Sequence, residues 1–385
     1  MSEARRGYRV WTRASGLCDP PPPTPRRPAP ISIDPMGELS QAASLRGHRG
    51  GVNCLAGEGD TLVSGGEDGT VRLWDLGAQR TARAMVAPGA QAVNALAVGR
   101  GGCEHFVFGA AGRDVFAYDL RAPGVLMREP AVPSLGGSSD EVGALAIDAA
   151  GEHVAIGDDS GEVRVVNLDG DSQPPELDAA HGSICACLAF RPAGGGGGGL
   201  ELLSGGTDAF AVRWDCLTGA TLCSWCLAAA APPAQSDGAA PRVINPRHVH
   251  SLAFEPGGTA FAAALGDGSI ELRDANHGAL LAAAPSAHGA AASQVVFAPQ
   301  LGGAGWGTAV PLLSAGDDSR LRLWACEPPP AEGASEGASL RAVGSASLAQ
   351  KPNWVLPHPS GVVCVAGTSD AVGVWRVSGG IRIRT

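Results

Sequence analysis

Three sets of Ser, His and Asp stand along this chain in the combination used by nucleophilic hydrolases: His48, Ser64 and Asp68; His181, Ser204 and Asp208; His288, Ser314 and Asp318. In such an enzyme the imidazole takes the seryl proton, the carboxylate orients the imidazole, and an oxyanion hole receives the developing charge. That chemistry needs one exposed nucleophile. Here the Asp follows the Ser by four residues in all three sets, and a Trp (Trp74, Trp214, Trp324) follows it by ten. Spacing repeated in triplicate marks a structural unit, so no catalytic residue is assigned and the chain is read as a non-enzyme. Cys223 and Cys226 form a lone C-x-x-C; a zinc site needs two further ligands and no second pair follows, so packed thiols on a strand are expected. The six glycines at 194–199 lack the Lys-Ser or Lys-Thr ending of a phosphate loop and read as an expanded hairpin loop. No metal and no cofactor is expected.

The elements that carry these residues recur. A fourteen-residue pattern begins with LVSGGEDGTVRLWD at 62–75 and returns at 106–119, 154–167, 202–215, 261–274, 312–325 and 363–376, with successive copies 44 to 59 residues apart. Each copy reads as an apolar strand, a tight turn rich in Asp, Gly or Ser, and an alternating strand, which is a β-hairpin. Further apolar strands precede most copies, such as VNCL at 52–55, VNALAV at 93–98 and SQVVFAP at 293–299. With the linker supplying a fourth strand, each unit of roughly 40 to 60 residues cannot bury both faces alone and must stack on its neighbours around an axis. The expected fold is all-β, a seven-bladed propeller of four-stranded antiparallel blades.

Composition agrees with that class. Of 385 residues, 44% are hydrophobic and 17% charged, with 56 Gly and 29 Pro, which suits short strands and turns. A net charge of −10 argues against nucleic acid as a partner. No apolar run reaches the roughly 20 residues of a spanning helix, so no membrane is expected and the cytoplasm, the nucleus or both are the expected location. The ten cysteines include Cys54, Cys185, Cys187 and Cys364 inside apolar segments and are read as reduced core residues. Residues 1–37 read as a disordered tail, with a transit peptide or a misplaced start codon as alternatives for the Arg-rich stretch 1–35. The propeller is expected over 38–378, with mobile insertions at 228–242 and 327–349 and a short tail at 379–385.

At the level of side chains the chain resembles WD-repeat proteins. In that family a His before the first strand, a Ser or Thr in the second, an Asp in the turn and a Trp in the third form a buried hydrogen-bonded tetrad. The resemblance places His48, Ser64, Asp68 and Trp74 in blade one, His181, Ser204, Asp208 and Trp214 in blade four, and His288, Ser314, Asp318 and Trp324 in blade six. Gly112 and Tyr118 in blade two, Ser160 and Val166 in blade three, and Ala263 and Arg273 in blade five depart from it, and those blades are expected to be looser. Blade seven keeps Trp375, with Asp370 shifted by one residue. In the family an N-terminal strand completes the last blade, and ELSQAASLRG at 38–47 is the candidate.

YDLR at 118–121 looks like the D-x-R box by which many WD-repeat substrate receptors dock on the triple-propeller adaptor of the cullin-4 RING ubiquitin ligase. The layout is also similar to the WD repeat-containing protein 53 family, in its insertions around the fifth blade, INPRHVHS at 244–251, SQVVF at 293–297, KPNWVL at 351–356 and a box in the second blade. The resemblance implies a protein-binding scaffold that presents an unknown client to the ligase, monomeric outside its complex, with Asp119 steadying the turn and Arg121 contacting the adaptor. A general scaffold in another nuclear or cytosolic complex is the alternative.

Overall fold

The computed structural model describes residues 38–170, 174–177, 181–193, 199–228, 245–302, 309–327 and 338–378, and the chain over these residues is a closed ring of seven sheets, antiparallel except for one short parallel pairing in the first. Blade four shows the plan: Cys185–Phe190 lies innermost, followed outward by Glu201–Gly206, Phe210–Asp215 and Ala220–Cys226. The third strand ends at an Asp whose carboxylate accepts the backbone N–H of Leu217 at 2.9 Å and the Thr218 hydroxyl at 2.8 Å, tightening the turn into the fourth. Asp75 and Asp274 cap their turns in the same way.

Two blades have only three ladder strands among the described residues: Val93–Val98, Phe106–Ala111 and Asp114–Asp119 in blade two, and Val142–Ile147, His153–Asp158 and Val163–Asn167 in blade three. In blade two the chain crosses after Asp119 to its neighbour. There Leu126–Met127 pairs in parallel with Arg80–Val86 and makes blade one five-stranded. Residues 132–138 then return along the vacated edge, with Val132 and Ala117 exchanging hydrogen bonds and Leu135 donating to the Val115 carbonyl at 2.8 Å.

The expectation of a mobile insertion over 327–349 needs correction, because Ser339–Ser347 is the outer strand of blade six and pairs with Arg320–Glu327. Its Ala, Ser and Gly content disguised it, yet Val343 and Ala346 are buried. Residues 1–37, 229–242, 328–337 and 379–385 lie outside the described residues, as do five of the six glycines at 194–199.

Closure comes from Glu38–Arg46, which pairs antiparallel with Ala371–Ser378 and completes blade seven. Leu39 and Leu45 sink into the core from this strand. The core itself is divided among the seams. One buried cluster joins blades six and seven through Leu313, Val343, Val355 and Trp375; another joins seven and one through Leu45, Val372, Leu55 and Trp74. Equivalent clusters fill the other five seams, so every blade is packed on both faces by its neighbours.

A register shift occurs near the start of all seven innermost strands, between Val52 and Cys54, Val93 and Ala95, Val142 and Ala144, Cys185 and Cys187, Val249 and Ser251, Ala292 and Gln294, and Pro352 and Trp354. A bulge re-aims the extra residue's side chain. Here Asn353 donates to the Val52 carbonyl of blade one at 3.0 Å, Asn53 to the Val93 carbonyl of blade two at 3.3 Å, and Asn94 to the Glu141 carboxylate of blade three at 2.6 Å. These side chains stitch successive blades around the axis. Asn353→Ala is expected to cost about 1 kcal/mol, the net worth of one such bond, measured as a shift in urea midpoint at unchanged slope.

Candidate interaction sites on the ring

In each antiparallel blade the turn between the second and third strands and the link to the next blade share one face of the ring. The turn after the third strand lies on the opposite face. The three Ser-His-Asp sets therefore meet on one face and the YDLR segment lies on the other.

The structure brings each set together. His48 Nε2 is 2.7 Å from Ser64 Oγ, its Nδ1 is 2.9 Å from Asp68, and Trp74 Nε1 donates to Ser64 Oγ at 2.8 Å. In blade four the corresponding distances are 2.8 Å, 3.1 Å and 2.9 Å, and in blade six 2.8 Å, 2.9 Å and 2.9 Å. The serines and histidines are buried. Each hydroxyl is held between an imidazole and an indole, with no exposed oxygen to attack a substrate. The indole N–H can only donate, so each Ser Oγ accepts from it, and each Nδ1 faces a carboxylate that accepts, so Nδ1 carries a proton.

Protonation follows from the surroundings. Burial pushes the His288 pKa down, against the pull of Asp318; burial also opposes ionisation of Asp318, but bonds from the Gly289 N–H and His288 outweigh it and hold this carboxyl below its ordinary value. Burial likewise opposes ionisation of Asp68, and the bonds from His48 and Thr70 overcome it, leaving Asp68 well below the usual carboxylate range. The blade-six pair is thus a neutral imidazole on an ionised carboxylate. Both groups bind protons more readily when unfolded, so both contribute stability that is lost on acidification. The His288 part is expected to decline as pH falls from about 6.5 and the carboxylate part from about 4; His288→Gln should reduce the upper step in a pH series of thermal melts without abolishing it, since burial also lowers the His250 and His358 pKa values.

Blade five is not simply a weakened copy. Its Ala263 and Arg273 replace the Ser and Trp, and a charged cluster occupies the space. Arg247 reaches Asp267 at 2.7 Å and Glu271 at 2.5 Å, Arg273 reaches the other oxygen of Glu271 at 2.7 Å, and Arg247 also donates to the Leu227 carbonyl at 2.7 Å. Glu271 and Arg247 are buried. The sequence pattern missed this because Arg247 lies before the hairpin. In blade three Asp158 is buried and gathers Ser139, Ser160 and the Glu162 N–H, while in blade two the Tyr118 hydroxyl donates to the Val86 carbonyl at 2.6 Å.

On the opposite face Asp119 accepts the Arg121 N–H at 2.8 Å and the Arg121 side chain through Nε at 3.0 Å and Nη2 at 2.7 Å. Arg121 is what holds the Asp119 carboxyl down to about 2. The guanidinium, 66% exposed, keeps its remaining three N–H groups pointing away from Asp119. Beneath it, Arg83 Nη1 donates to the Leu120 and Ala122 carbonyls at 2.6 and 2.9 Å. The turn is thus clamped from blade one, which sequence alone did not reveal.

Among the described residues neither thiol of the C-x-x-C belongs to a close group of three metal-ligating side chains. Cys223 and Cys226 lie on the outer strand of blade four opposite Arg213 and Phe210, and Cys226 is exposed where packing was expected. Among the described residues the one close trio of metal-ligating types is Asp148, Glu152 and His153, where Asp148 accepts the backbone N–H groups of the other two and closes its own turn. The described cysteines are free, and burial pushes Cys187 and Cys364 up to about 12. Along the axis runs a channel of about 430 Å³ lined by the innermost strands, including Leu145, Leu188, Phe190 and Trp354. No helix among the described residues is long and apolar enough to cross a membrane.

Comparison with known proteins gives three results. The WD domain, G-beta repeat family matches residues 39–75. The WD repeat-containing protein 53 homolog of Dictyostelium discoideum is 24% identical over 243 residues, 60% of this chain and 64% of that protein; ribosome biogenesis protein ERB1 of Chaetomium thermophilum is 34% identical over 100 residues, 26% of this chain and 12% of that protein. The matches thus span less than two thirds of these relatives' lengths. Among solved structures, the WD40 β-propeller domain of Doa1 superposes with a TM-score of 0.64 at 17% identity, covering 89% of this chain and 99% of that one. The likeness to Doa1 is one of fold.

Proposed function

We propose that this seven-bladed WD-repeat propeller is a non-catalytic scaffold that works as a substrate receptor, docking through Asp119 and Arg121 on the triple-propeller adaptor of a cullin-4 ligase while other surfaces hold a client. The observation that carries this reading is the presentation of Arg121. Asp119 uses two of the five guanidinium N–H groups and fixes the plane of the rest. A fixed fork loses less entropy on docking than a free arginine. The tetrads keep the ring rigid, and a rigid ring displays loops in constant geometry. Similarity to the protein 53 homolog supports the WD-repeat scaffold, and the cytoplasm, the nucleus or both are the compartments proposed for it.

The experiment is recovery of the adaptor with tagged protein from cells. Arg121→Ala is expected to reduce recovery at least about tenfold, the loss typical of a hot-spot arginine, with unchanged circular dichroism. Equal recovery by both forms would remove Arg121 from the interface. Absence of adaptor from both would favour a scaffold in another assembly, a reading supported by the similarity to ERB1.

A further inference from the structure

The connection leaving blade two does not turn straight back into a fourth strand of its own blade. Blades one, four and five return to their own fourth strand within a few residues, at Arg80, Ala220 and Leu280. After Asp119 the chain instead lies across blade one as a strap. It is pinned by Arg83 to the Leu120 and Ala122 carbonyls, by the Ala84 N–H to the Val125 carbonyl at 2.8 Å, and by Met127, which is buried in the seam between blades one and two. Leu120 and Ala122 pack on the same seam. The strap thus turns some side chains inward and displays others, and the displayed ones are Arg121, Val125 at 72% exposure and Leu126 at 51%. No other described large apolar residue is more exposed than Val125, and no other two such residues adjoin in sequence.

We propose that Val125 and Leu126 form the apolar half of a docking surface whose polar half is Arg121, and that the partner offers an apolar pocket edged by carboxylates. This rests on the adaptor reading of Arg121 and extends it to residues outside the box. Two features support that occupant. The strap is held by backbone bonds, so its apolar tip is already ordered before a partner arrives, which reduces the cost of binding. The exposed charges beside the tip are Arg121, paired with Asp119, and the neighbours Arg128 and Glu129, and the Arg121 N–H groups not spent on Asp119 are donors that suit carboxylate acceptors. A second copy of this chain is the competing occupant.

The test measures binding of the full chain to purified adaptor by calorimetry at low and high salt, with the mass of each form in solution determined by light scattering. Val125→Ser with Leu126→Ser is expected to weaken binding at least about tenfold while keeping its salt dependence; Arg121→Ala is expected to weaken binding and flatten the salt dependence. Val125→Ile with Leu126→Met should bind as wild type, and equal melting temperatures show that the ring is intact. If the serine variant binds as tightly as wild type while Arg121→Ala does not, the apolar half is wrong and the box stands. If wild type fails to bind, both readings fall. If wild type is dimeric and the serine variant monomeric, the strap joins copies of this chain and the proposal is overturned.

Discussion

Glu271→Ala is expected to destabilise the protein by about 3–5 kcal/mol, the loss found when one member of a buried ion network is removed and its partners remain. Glu271 is 1% exposed and holds two guanidinium groups, one on each carboxylate oxygen. Its removal leaves Arg273 and much of Arg247 facing each other inside blade five with Asp267 as the nearby counter-charge. By contrast, Ser204→Ala removes a neutral hydroxyl shared by His181 and Trp214 and is expected to cost about 1–3 kcal/mol. Urea unfolding followed by tryptophan fluorescence ranks the two variants. A loss below about 1 kcal/mol for Glu271→Ala would mean that water or a rearranged side chain replaces the carboxylate, and that the cluster is not what holds this blade.

Removing residues 38–46 is expected to have the second large effect, and a different kind of effect. The burial of Leu39 and Leu45 alone is worth about 3–6 kcal/mol at the usual value for a large apolar side chain. Loss of the ladder also leaves Ala371–Ser378 with one bare edge, and a bare edge is a template for pairing with another chain. The shortened protein should melt at lower temperature and scatter light as oligomers that form through blade seven. Supplying a peptide of residues 38–46 should restore the monomer; failure of the peptide to do so, with the long protein monomeric, would point to a defect elsewhere in the ring.

The repeat was legible because one hairpin carries a full set of signals: an apolar strand, a small turn, and a Trp at fixed distance from a Ser. That is why the blade number follows from spacing, whereas the closing strand and the three hydrogen-bonded sets are what the resemblance to WD-repeat proteins implies. Legibility ends where the determinant lies outside the hairpin. Arg247 stands upstream of blade five's pattern, so Arg273 reads as a defect when it is half of a charged cluster. Ser339–Ser347 is composed of residues usual in loops, and only its pairing with Arg320–Glu327 makes it a strand. The crossing of the chain after Asp119 depends on Arg83 and on carbonyl groups, which no side-chain pattern reports. The asparagines at positions 53, 94 and 353 are visible as VN and PN, but their reach into the neighbouring blade depends on a bulge that has no sequence marker of its own.

The pairing of Glu38–Arg46 with Ala371–Ser378 also sets a timetable for biosynthesis. At roughly 5–20 residues per second, on the order of half a minute separates the synthesis of Arg46 from that of its partner strand. For that interval Leu39 and Leu45 have no seam to enter, while blades one to six can form in order behind them. The nascent chain therefore carries a waiting apolar strand through nearly the whole of translation, and any chaperone that attends this protein has its longest-lived target there.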